Sequence, residues 1–357
     1  MKITSLESKI GVDCVSMVGS EQFLITGGTG FIGRYVVRKL LTRGARVRLF
    51  CRAPEKAHRL FGDRVGVVVG DLCDPGSAAH ACRGVSTVIH VGGVYRFGRR
   101  ARRELFEVNV RGTEHMLAAA RAARVERFVH ISSNSVLTHG GALVKEQDFP
   151  RSVSSLEPYR CSKWLAELAV LEAARQGLPV IIASPSSPLG AEDETPTPTG
   201  QIIQDFLAGR FSFTARVALN FIDVGEVADG IVAVAEKGKA SERYLLGHHN
   251  VWLDEFLALA ARCVGRPAPA HRLQLALVAI AGGIGELAGS ERVCWETGAH
   301  ARRFQWLDCR KAKEELGWHP SVPLETCVRE SIEWFVRRSI HPIPNLPELA
   351  KANVAAR

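Results

Sequence analysis

A tyrosine and a lysine stand four residues apart, at Tyr159 and Lys163. Pro158 is typical of the first turn of a helix, in which residues four apart share a face. Lowering the pKa of a phenol from ~10 by about 3 units costs about 4 kcal/mol, close to one unit-charge contact at about 4 Å. Lys163 could supply that charge, so the pair could move a proton to or from a hydroxyl group. The same spacing is common on an ordinary helix face, and a second motif is needed to decide.

Three glycines provide the second motif. Gly27, Gly30 and Gly33 follow an apolar run at residues 23–25 and precede a segment with helical periodicity. Glycines allow a tight turn and a close approach of the backbone to a pyrophosphate, and a helix N-terminus offers free N–H groups. A turn before any helix can look similar, but a second predicted strand at residues 46–51 completes the context of a dinucleotide site. Together the two motifs predict dinucleotide binding with acid–base catalysis.

The end of the second predicted strand indicates which dinucleotide binds. A site that selects NAD(H) usually has Asp or Glu here, to bind the ribose 2′-hydroxyl. This chain has Arg52 instead, with Lys56 and Arg59 nearby, and an arginine suits a 2′-phosphate. The three cations could also form a solvated basic surface. The sequence favours NADP(H), with NAD(H) as the alternative.

A third group should polarise the substrate oxygen. The predicted strand at residues 127–131 runs into Ser132 and Ser133. Open α/β sheets bind their ligands at the carboxyl ends of their strands. One of these two serines is therefore the candidate donor.

The elements that must position these residues alternate between strand and helix. Further strands are expected near residues 65–69, 87–91 and 180–183, with helices at 104–122 and 158–176. Such alternation predicts an α/β fold of the Rossmann type, with a doubly wound parallel sheet.

Composition changes at Pro185, where four prolines and three acidic residues fall between Pro185 and Pro198. This stretch predicts a loop and a domain boundary. The expected organisation is an N-terminal extension (1–20), an NAD(P)-binding domain (21–184), a smaller substrate-binding lobe with interleaved elements (185–338) and a C-terminal tail (339–357).

The chain resembles the extended short-chain dehydrogenase/reductase family from about residue 21 to about residue 338. The matching segments are residues 26–33, 71–72, 90–93, 109–113, 131–133 and 159–163. The resemblance implies that Ser133 orients the carbonyl, Tyr159 is the acid/base, and Lys163 holds the ribose and lowers the pKa of the tyrosine. The implied cofactor contacts are Gly27, Gly30, Phe31, Ile32, Gly33, Arg52, Asp71, Leu72, Gly92, Tyr159, Lys163 and Ser186, with Asp71 and Leu72 along the adenine.

Within the family the chain is most similar to the dihydroflavonol-reductase-like branch. That branch includes hopanoid-associated sugar epimerases and resembles 3β-hydroxysteroid dehydrogenases; residues 185–190, 196–200, 219–222, 242–247 and 315–318 carry the similarity. Two segments depart from the family. Residues 223–228 read Asp-Val-Gly-Glu-Val-Ala where the branch has His-Val-Asp-Asp-Val-Ala, so this stretch is not carried over as a substrate contact. Residues 183–187 lack the Asn that nucleotide-sugar epimerases tend to use for a diphosphate, which argues against a UDP-sugar.

The resemblance implies an NAD(P)-dependent oxidoreductase that interconverts a secondary alcohol and a ketone on a bulky apolar substrate. A sterol or polycyclic terpenoid is the expected class, and a 3β-hydroxysteroid-type oxidation could be followed by loss of a neighbouring carboxylate. A sugar epimerase or dehydratase, which takes a hydride and returns it, is the alternative. A non-catalytic dinucleotide sensor is a third possibility, and the presence of both Tyr159 and Lys163 counts against it.

Composition indicates the compartment. The 357 residues are 46% hydrophobic and 23% charged, which is typical of a globular protein. Residues 1–20 contain no apolar core of a signal peptide. The nine cysteines show no ligand-like spacing, so we expect no metal site and a reduced, cytoplasmic protein. A homodimer is compatible with these features.

Two surface features remain open. Part of the net charge of +9 lies in Arg96, Arg99, Arg100, Arg102 and Arg103, which could meet an anionic substrate, an acidic lipid surface or nucleic acid, or form a solvated loop. No nucleic-acid motif accompanies the cluster and no nucleic-acid partner is expected, so we favour the solvated loop. The apolar segment 273–287 is too short to span a bilayer. It is predicted to pack as core, with a substrate pocket or a peripheral membrane contact as alternatives.

Overall fold

The computed structural model describes residues 22–138, 143–288, 290 and 293–338. The expected N-terminal extension and C-terminal tail lie outside the described residues. Twelve strands are found there: β1 (Gln22–Thr26), β2 (Arg46–Cys51), β3 (Gly66–Val69), β4 (Thr87–His90), β5 (Arg127–Ile131), β6 (Val180–Pro185), β7 (Ser187–Leu189), β8 (Phe213–Ala215), β9 (Ala218–Asp223), β10 (Arg243–Leu246), β11 (His249–Trp252) and β12 (His271–Leu273).

The helices follow the strands in alternation over the first half of the chain. They are α1 (Phe31–Thr42), α2 (Pro54–Phe61), α3 (Pro75–Cys82), α4 (Arg102–Leu105), α5 (Gly112–Ala122), α6 (Pro158–Arg175), α7 (Pro198–Leu207), α8 (Val224–Lys237), α9 (Leu253–Val264), α10 (Leu275–Leu287), α11 (Trp295–Ala301), α12 (Arg310–Leu316) and α13 (Leu324–Arg338). Among the described residues, none of these helices is long and apolar enough to cross a membrane.

Seven strands form a parallel sheet in the order β10-β6-β5-β4-β1-β2-β3. Its central strands are continuous apolar runs such as Phe23-Leu24-Ile25, at most 2% exposed, as expected for strands that are buried on both faces. Helices α1, α2, α8 and α12 contribute to the core on one face, and α3, α5 and α6 to the core on the other. The predicted α/β fold with a doubly wound Rossmann-type sheet is confirmed.

The remaining elements build the smaller lobe. Strands β7, β9 and β11 form one small sheet and β8 pairs with β12. Helices α7, α9 and α13 bury their apolar faces against these strands, with Phe221 stacked on Phe256 at 4.2 Å between ring centroids.

Four details differ from the sequence-based expectations. The sheet is not complete at residue 184, because α8 and β10, from the second half of the chain, supply its last helix and its edge strand. The expected loop after Pro185 contains β7, whose backbone pairs with β9. The expected helix at 104–122 is interrupted by a π-helical segment, Phe106–Arg111. The apolar helix begins at Leu275 because Leu273 pairs with Ala215.

Candidate active site

One cleft of about 380 Å³ lies at the carboxyl ends of β1 and β4, where the strand order reverses and α/β sheets bind their ligands. All of the residues predicted for the site line this cleft. They are Gly27, Gly30, Phe31, Ile32, Gly33, Arg52, Asp71, Leu72, Gly92, Ser133, Tyr159, Lys163 and Ser186. The structure therefore brings the predicted set together; the role of each residue remains a proposal.

The glycine loop fits a pyrophosphate because side chains have no room there. Gly27 has φ +67°, and a Cβ on it would lie 2.7 Å from the backbone of Gly92. A Cβ on Gly33 would collide with the carbonyl of Gly27. Helix α1 begins at Phe31 without a side-chain cap, so its first N–H groups are free to bind an anion.

Arg34 holds this loop in shape and was not predicted from the sequence. Its side chain is 2% exposed and donates to the carbonyls of Thr29 at 3.0 Å and Gly30 at 3.2 Å. Its charge is paired with Glu192 at 3.2 Å and Glu194 at 3.1 Å. A buried arginine is stable only with such partners, and this one ties the loop to the start of the smaller lobe.

Of the three cations near the second strand, Arg52 alone lines the cleft. Its side chain is 77% exposed and lies 3.9 Å from the carboxylate of Asp71. Lys56 is instead paired with Glu194 at 2.8 Å. The sequence placed Lys56 and Arg59 beside Arg52, but of these three side chains only that of Arg52 reaches the cleft in the structure.

The candidate catalytic side chains meet at the centre of the cleft. Tyr159 and Ser133 both line the cleft, and the Ser133 hydroxyl is near enough to the phenol to lower its pKa. The Oγ atoms of Ser133 and Ser135 lie 2.9 Å apart. Lys163, one turn after Tyr159, donates from Nζ to the carbonyl of Ile131 at 2.6 Å. A phenol, a hydroxyl donor and an ammonium group are therefore grouped where β5 ends.

Burial controls the proton affinities of this group. It raises the pKa of Tyr159 above its usual value. The nearby hydroxyl of Ser133 lowers this pKa, and the negative charge of Glu296 raises it. Burial also lowers the pKa of Lys163 to about 8. The lowering of the tyrosine pKa by Lys163 remains a prediction.

Asn109 connects the cleft wall to the tyrosine helix. Its side chain accepts a hydrogen bond from the N–H of Val94 at 2.7 Å and donates one to the carbonyl of Val94 at 3.0 Å. It also donates to Ser162 Oγ at 3.0 Å, and Ser162 donates to the carbonyl of Tyr159 at 2.8 Å. Asn109 lies in the π-helical segment, a feature that often occurs at functional sites.

Glu296 caps the tyrosine helix from another part of the chain. Helix α6 has no side-chain cap of its own. Glu296, on α11 and 2% exposed, accepts from the N–H groups of Arg160 at 3.1 Å and Gly98 at 3.3 Å. Burial raises the pKa of this carboxyl to about 7. This contact could not be predicted from the sequence, since its partners are backbone groups.

Aromatic side chains form one wall beside the catalytic group. Tyr95 lies 4.6 Å from Tyr159 between ring centroids, and Phe97 lies 5.8 Å from Tyr159 and 5.5 Å from His300. Burial lowers the pKa of His300 to about 4, so its ring is neutral near pH 7. Of these rings, Tyr95, Tyr159 and His300 line the cleft and offer flat surface to a bound molecule.

A Rossmann sheet with a glycine loop facing a Ser/Tyr/Lys group defines an extended short-chain dehydrogenase/reductase, as the sequence resemblance predicted. The profile of the family described as "NAD dependent epimerase/dehydratase family" matches residues 23–247. The chain belongs to that family, whose members carry out NAD-dependent chemistry.

Three similar proteins place the chain within the family. It is 34% identical to a putative dihydroflavonol 4-reductase of Synechocystis sp., over 88% of this chain and 94% of that protein. It is 33% identical to sterol demethylase protein B of Methylococcus capsulatus, over 69% of this chain and 75% of that protein. The crystal structure of a nucleoside-diphosphate-sugar epimerase from Pseudomonas aeruginosa is 28% identical, with a TM-score of 0.76, and covers 89% of this chain and 98% of that one.

Proposed function

We propose that this protein is an NADP(H)-dependent oxidoreductase that interconverts a secondary alcohol and a ketone on a bulky apolar substrate. The grouping of Ser133, Tyr159 and Lys163 in one cleft at the end of β5 is the observation that carries the proposal. The expected substrate is a sterol or polycyclic terpenoid handled by the cytoplasmic protein, as a monomer or a homodimer.

The side chains divide the proton chemistry among them. Tyr159 takes the proton of the alcohol during oxidation and returns it during reduction. Ser133 donates to the substrate oxygen and holds it beside the phenol, a position that Ser135 supports. Lys163 is anchored to Ile131, contributes positive charge next to the phenol and binds the cofactor ribose. Because its pKa is about 8, that charge weakens at higher pH.

The cofactor is the hydride carrier, and the glycine loop with α1 would hold its pyrophosphate. Arg52 would bind a 2′-phosphate, which is why NADP(H) is favoured over NAD(H). Asp71 and Leu72 would flank the adenine. The exposure of Arg52 suits this role, since a 2′-phosphate is itself solvated at the edge of the site.

The cleft lining favours an apolar substrate over a nucleotide sugar. Among the described lining residues, Arg52 and Lys163 are the arginine and lysine side chains, and both are assigned to the cofactor. A second diphosphate would therefore lack a basic partner. The ring of Tyr95 in the cleft lining, against which Phe97 packs, and the similarity to a sterol demethylase protein support a fused-ring substrate.

The resemblance to 3β-hydroxysteroid dehydrogenases also suggests a further step. Oxidation of a 3β-alcohol next to a carboxylate would transfer a hydride to NADP⁺ and give a β-keto acid. Such an acid loses carbon dioxide readily, with its electron pair passing to the new ketone as an enolate that is then protonated. This step needs no additional oxidant.

A sugar epimerase or dehydratase is the second candidate, favoured by the similarity to the Pseudomonas aeruginosa structure. Purified protein, NADP⁺ or NAD⁺, and a panel of sterols, triterpenoids and sugar nucleotides separate the two. Net cofactor reduction with an apolar alcohol supports the proposal. Isomer conversion of a sugar nucleotide without net reduction would contradict it. A dinucleotide sensor would bind cofactor and turn over no substrate.

A further inference from the structure

Helix α10 exposes an apolar stripe. Leu277, Ile280, Ile284 and Leu287 are 50%, 58%, 62% and 91% exposed. Their spacing of three, four and three residues puts all four on one side of the helix. An exposed stripe of large aliphatic residues is unusual on a protein surface that faces water alone.

The other side of α10 is already packed. A Cβ on Gly282 would lie 2.6 Å from the carbonyl of Cys294, and a Cβ on Gly285 would collide with that of Val293. The glycines thus let α11 and its preceding residues approach closely. The exposed stripe is therefore distinct from the packed face of the helix, which carries these glycines.

Two more apolar side chains extend the stripe. Val293 is 48% exposed and Trp295 is 42% exposed, and Trp295 lies beside Gly283. Tryptophan is enriched where proteins meet the boundary between water and lipid, because its ring has both apolar and polar parts. We call these six residues the α10 patch.

A basic cluster borders the α10 patch. Glu286, in the last turn of α10, accepts from the N–H of Arg99 at 3.1 Å and from that of Trp295 at 3.2 Å. Arg99 begins a run in which Arg100, Arg102 and Arg103 are also exposed. Within the part of the chain that the structure describes, Arg99, Arg100 and Arg103 form no ion pair.

We propose that the α10 patch and the adjoining arginines dock the protein onto an anionic lipid surface. An apolar stripe flanked by cations is the pattern of helices that lie in the plane of a membrane interface. The arginines would meet lipid phosphates while Ile280, Ile284 and Trp295 enter the boundary of the acyl chains.

A second copy of the chain fits the stripe less well. Thirteen residues of helix are about 20 Å long and about 10 Å wide, an area on the order of 200 Å². A stable protein interface needs about 800 Å² on each partner. The exposed arginines beside the patch would also repel those of an identical copy, whereas an acidic surface would attract them.

The position of the patch suits the proposed chemistry without depending on it. Helix α11 carries Trp295 in the patch and His300 in the lining of the cleft, five residues apart and so about 7.5 Å along the helix. A substrate dissolved in the lipid would meet the protein close to the cleft. Lipid binding can be measured without cofactor or substrate, so its failure is distinguishable from failure of the proposed reaction.

Sedimentation of the full chain with vesicles tests the proposal. Vesicles of phosphatidylcholine alone are compared with vesicles that also contain phosphatidylglycerol. We expect binding to the anionic vesicles that weakens in high salt. The double variant I280Q/I284Q should bind at least ten-fold more weakly, and each Arg99→Gln or Arg103→Gln substitution should cost roughly five-fold.

Val69→Gln is the matched control, because Val69 is 59% exposed on strand β3; it should bind like the wild type. Circular dichroism and thermal unfolding establish that each variant is folded. The proposal is wrong if the wild type ignores anionic vesicles, or if folded I280Q/I284Q binds as well as the wild type. It is also wrong if light scattering shows that I280Q/I284Q converts a dimer into a monomer, since the stripe would then be covered by a second copy.

Discussion

The rings of Tyr95 and Tyr159 lie 4.6 Å apart between centroids and tilt by 36°. Two phenols thus share one cleft, but Tyr159 is the one that has the Ser133 hydroxyl as its neighbour and is followed one turn later by Lys163. Tyr95 has the hydroxyl of Thr199 as its polar neighbour instead. Tyr95 therefore serves as a control for the proposed role of Tyr159.

Replacing Tyr159 with phenylalanine removes the proton-transfer group and keeps the ring. We expect kcat to fall by about 10²–10⁴-fold with little change in cofactor affinity, measured by turnover and by cofactor fluorescence titration. Tyr95→Phe should change kcat by only a few-fold. Equal losses in the two variants would show that the phenol of Tyr159 has no special role.

Lys163→Met should weaken cofactor binding at least ten-fold and lower kcat about 10²-fold, because it removes both the ribose contact and the nearby charge. Lys163→Arg should not restore activity, since Nζ already lies 2.6 Å from the carbonyl of Ile131 in a buried setting. Lys39→Met is the control. Lys39 pairs with Asp229 at 2.8 Å outside the cleft, and its loss should leave both quantities unchanged.

Arg52→Ala tests the cofactor preference. Loss of a charge-assisted contact with a 2′-phosphate costs about 1.5–3 kcal/mol, so KM for NADP⁺ should rise about ten-fold or more while KM for NAD⁺ changes little. Arg59→Ala is the control because Arg59 does not line the cleft. If Arg52→Ala affects both cofactors equally, Arg52 does not select the phosphate.

Glu296 predicts a pH dependence of stability. Its folded pKa of about 7 lies above the usual value of ~4.3. The folded state holds the proton more tightly than the unfolded state, so the protonated carboxyl adds to the free energy of unfolding. This stabilisation is fully present below pH ~4.3 and is lost as the pH rises through about 7. Its size is on the order of 3 kcal/mol at most. The melting temperature of the wild type should therefore fall more steeply than that of Glu296→Gln between about pH 5 and about pH 8.

Parallel melting curves for wild type and Glu296→Gln across that range would show that Glu296 does not titrate there. Activity offers a second readout, because the ionised carboxylate disfavours the phenolate of Tyr159. Glu157→Gln serves as a comparison, since Glu157 is also buried at the start of α6 but pairs with the side chain of Arg160 at 3.4 Å.

Gly33→Ala should abolish cofactor binding and lower the melting temperature, because the added Cβ collides with the carbonyl of Gly27. The clashing carbonyl belongs to the backbone, which cannot move aside as the end of a flexible side chain can. In Gly66→Ala the nearest atom to the Cβ would be 3.9 Å away, and this variant should bind cofactor normally. Normal binding by Gly33→Ala would contradict the assignment of the loop.

Local signals made much of the site predictable. Gly27, Gly30 and Gly33 are recognisable because a single turn requires them, and Tyr159 and Lys163 because one helix face presents both. The Rossmann sheet followed from the alternation of strands and helices. These features depend on residues that are close together in the chain, so the sequence alone is enough to predict them.

Other features depend on distant partners and had no such signal. Glu296 caps a helix that begins at Pro158, far earlier in the chain, through backbone N–H groups that every residue possesses. Arg34 needs Glu192 and Glu194, and strand β10 joins the sheet only because α8 returns the chain to it. The exposed side of α10 could not be told from its packed side, since both are apolar.

The most direct test of the proposed function follows nicotinamide absorbance during incubation of the pure protein with NADP⁺ and 3β-hydroxysterols, with and without a neighbouring carboxylate. The ketone product is quantified in the same samples. The proposal predicts one reduced cofactor for each ketone formed, with activity lost in Tyr159→Phe and retained in Tyr95→Phe. Absence of reduction with every apolar alcohol, alongside conversion of a sugar nucleotide to an isomer, would contradict it.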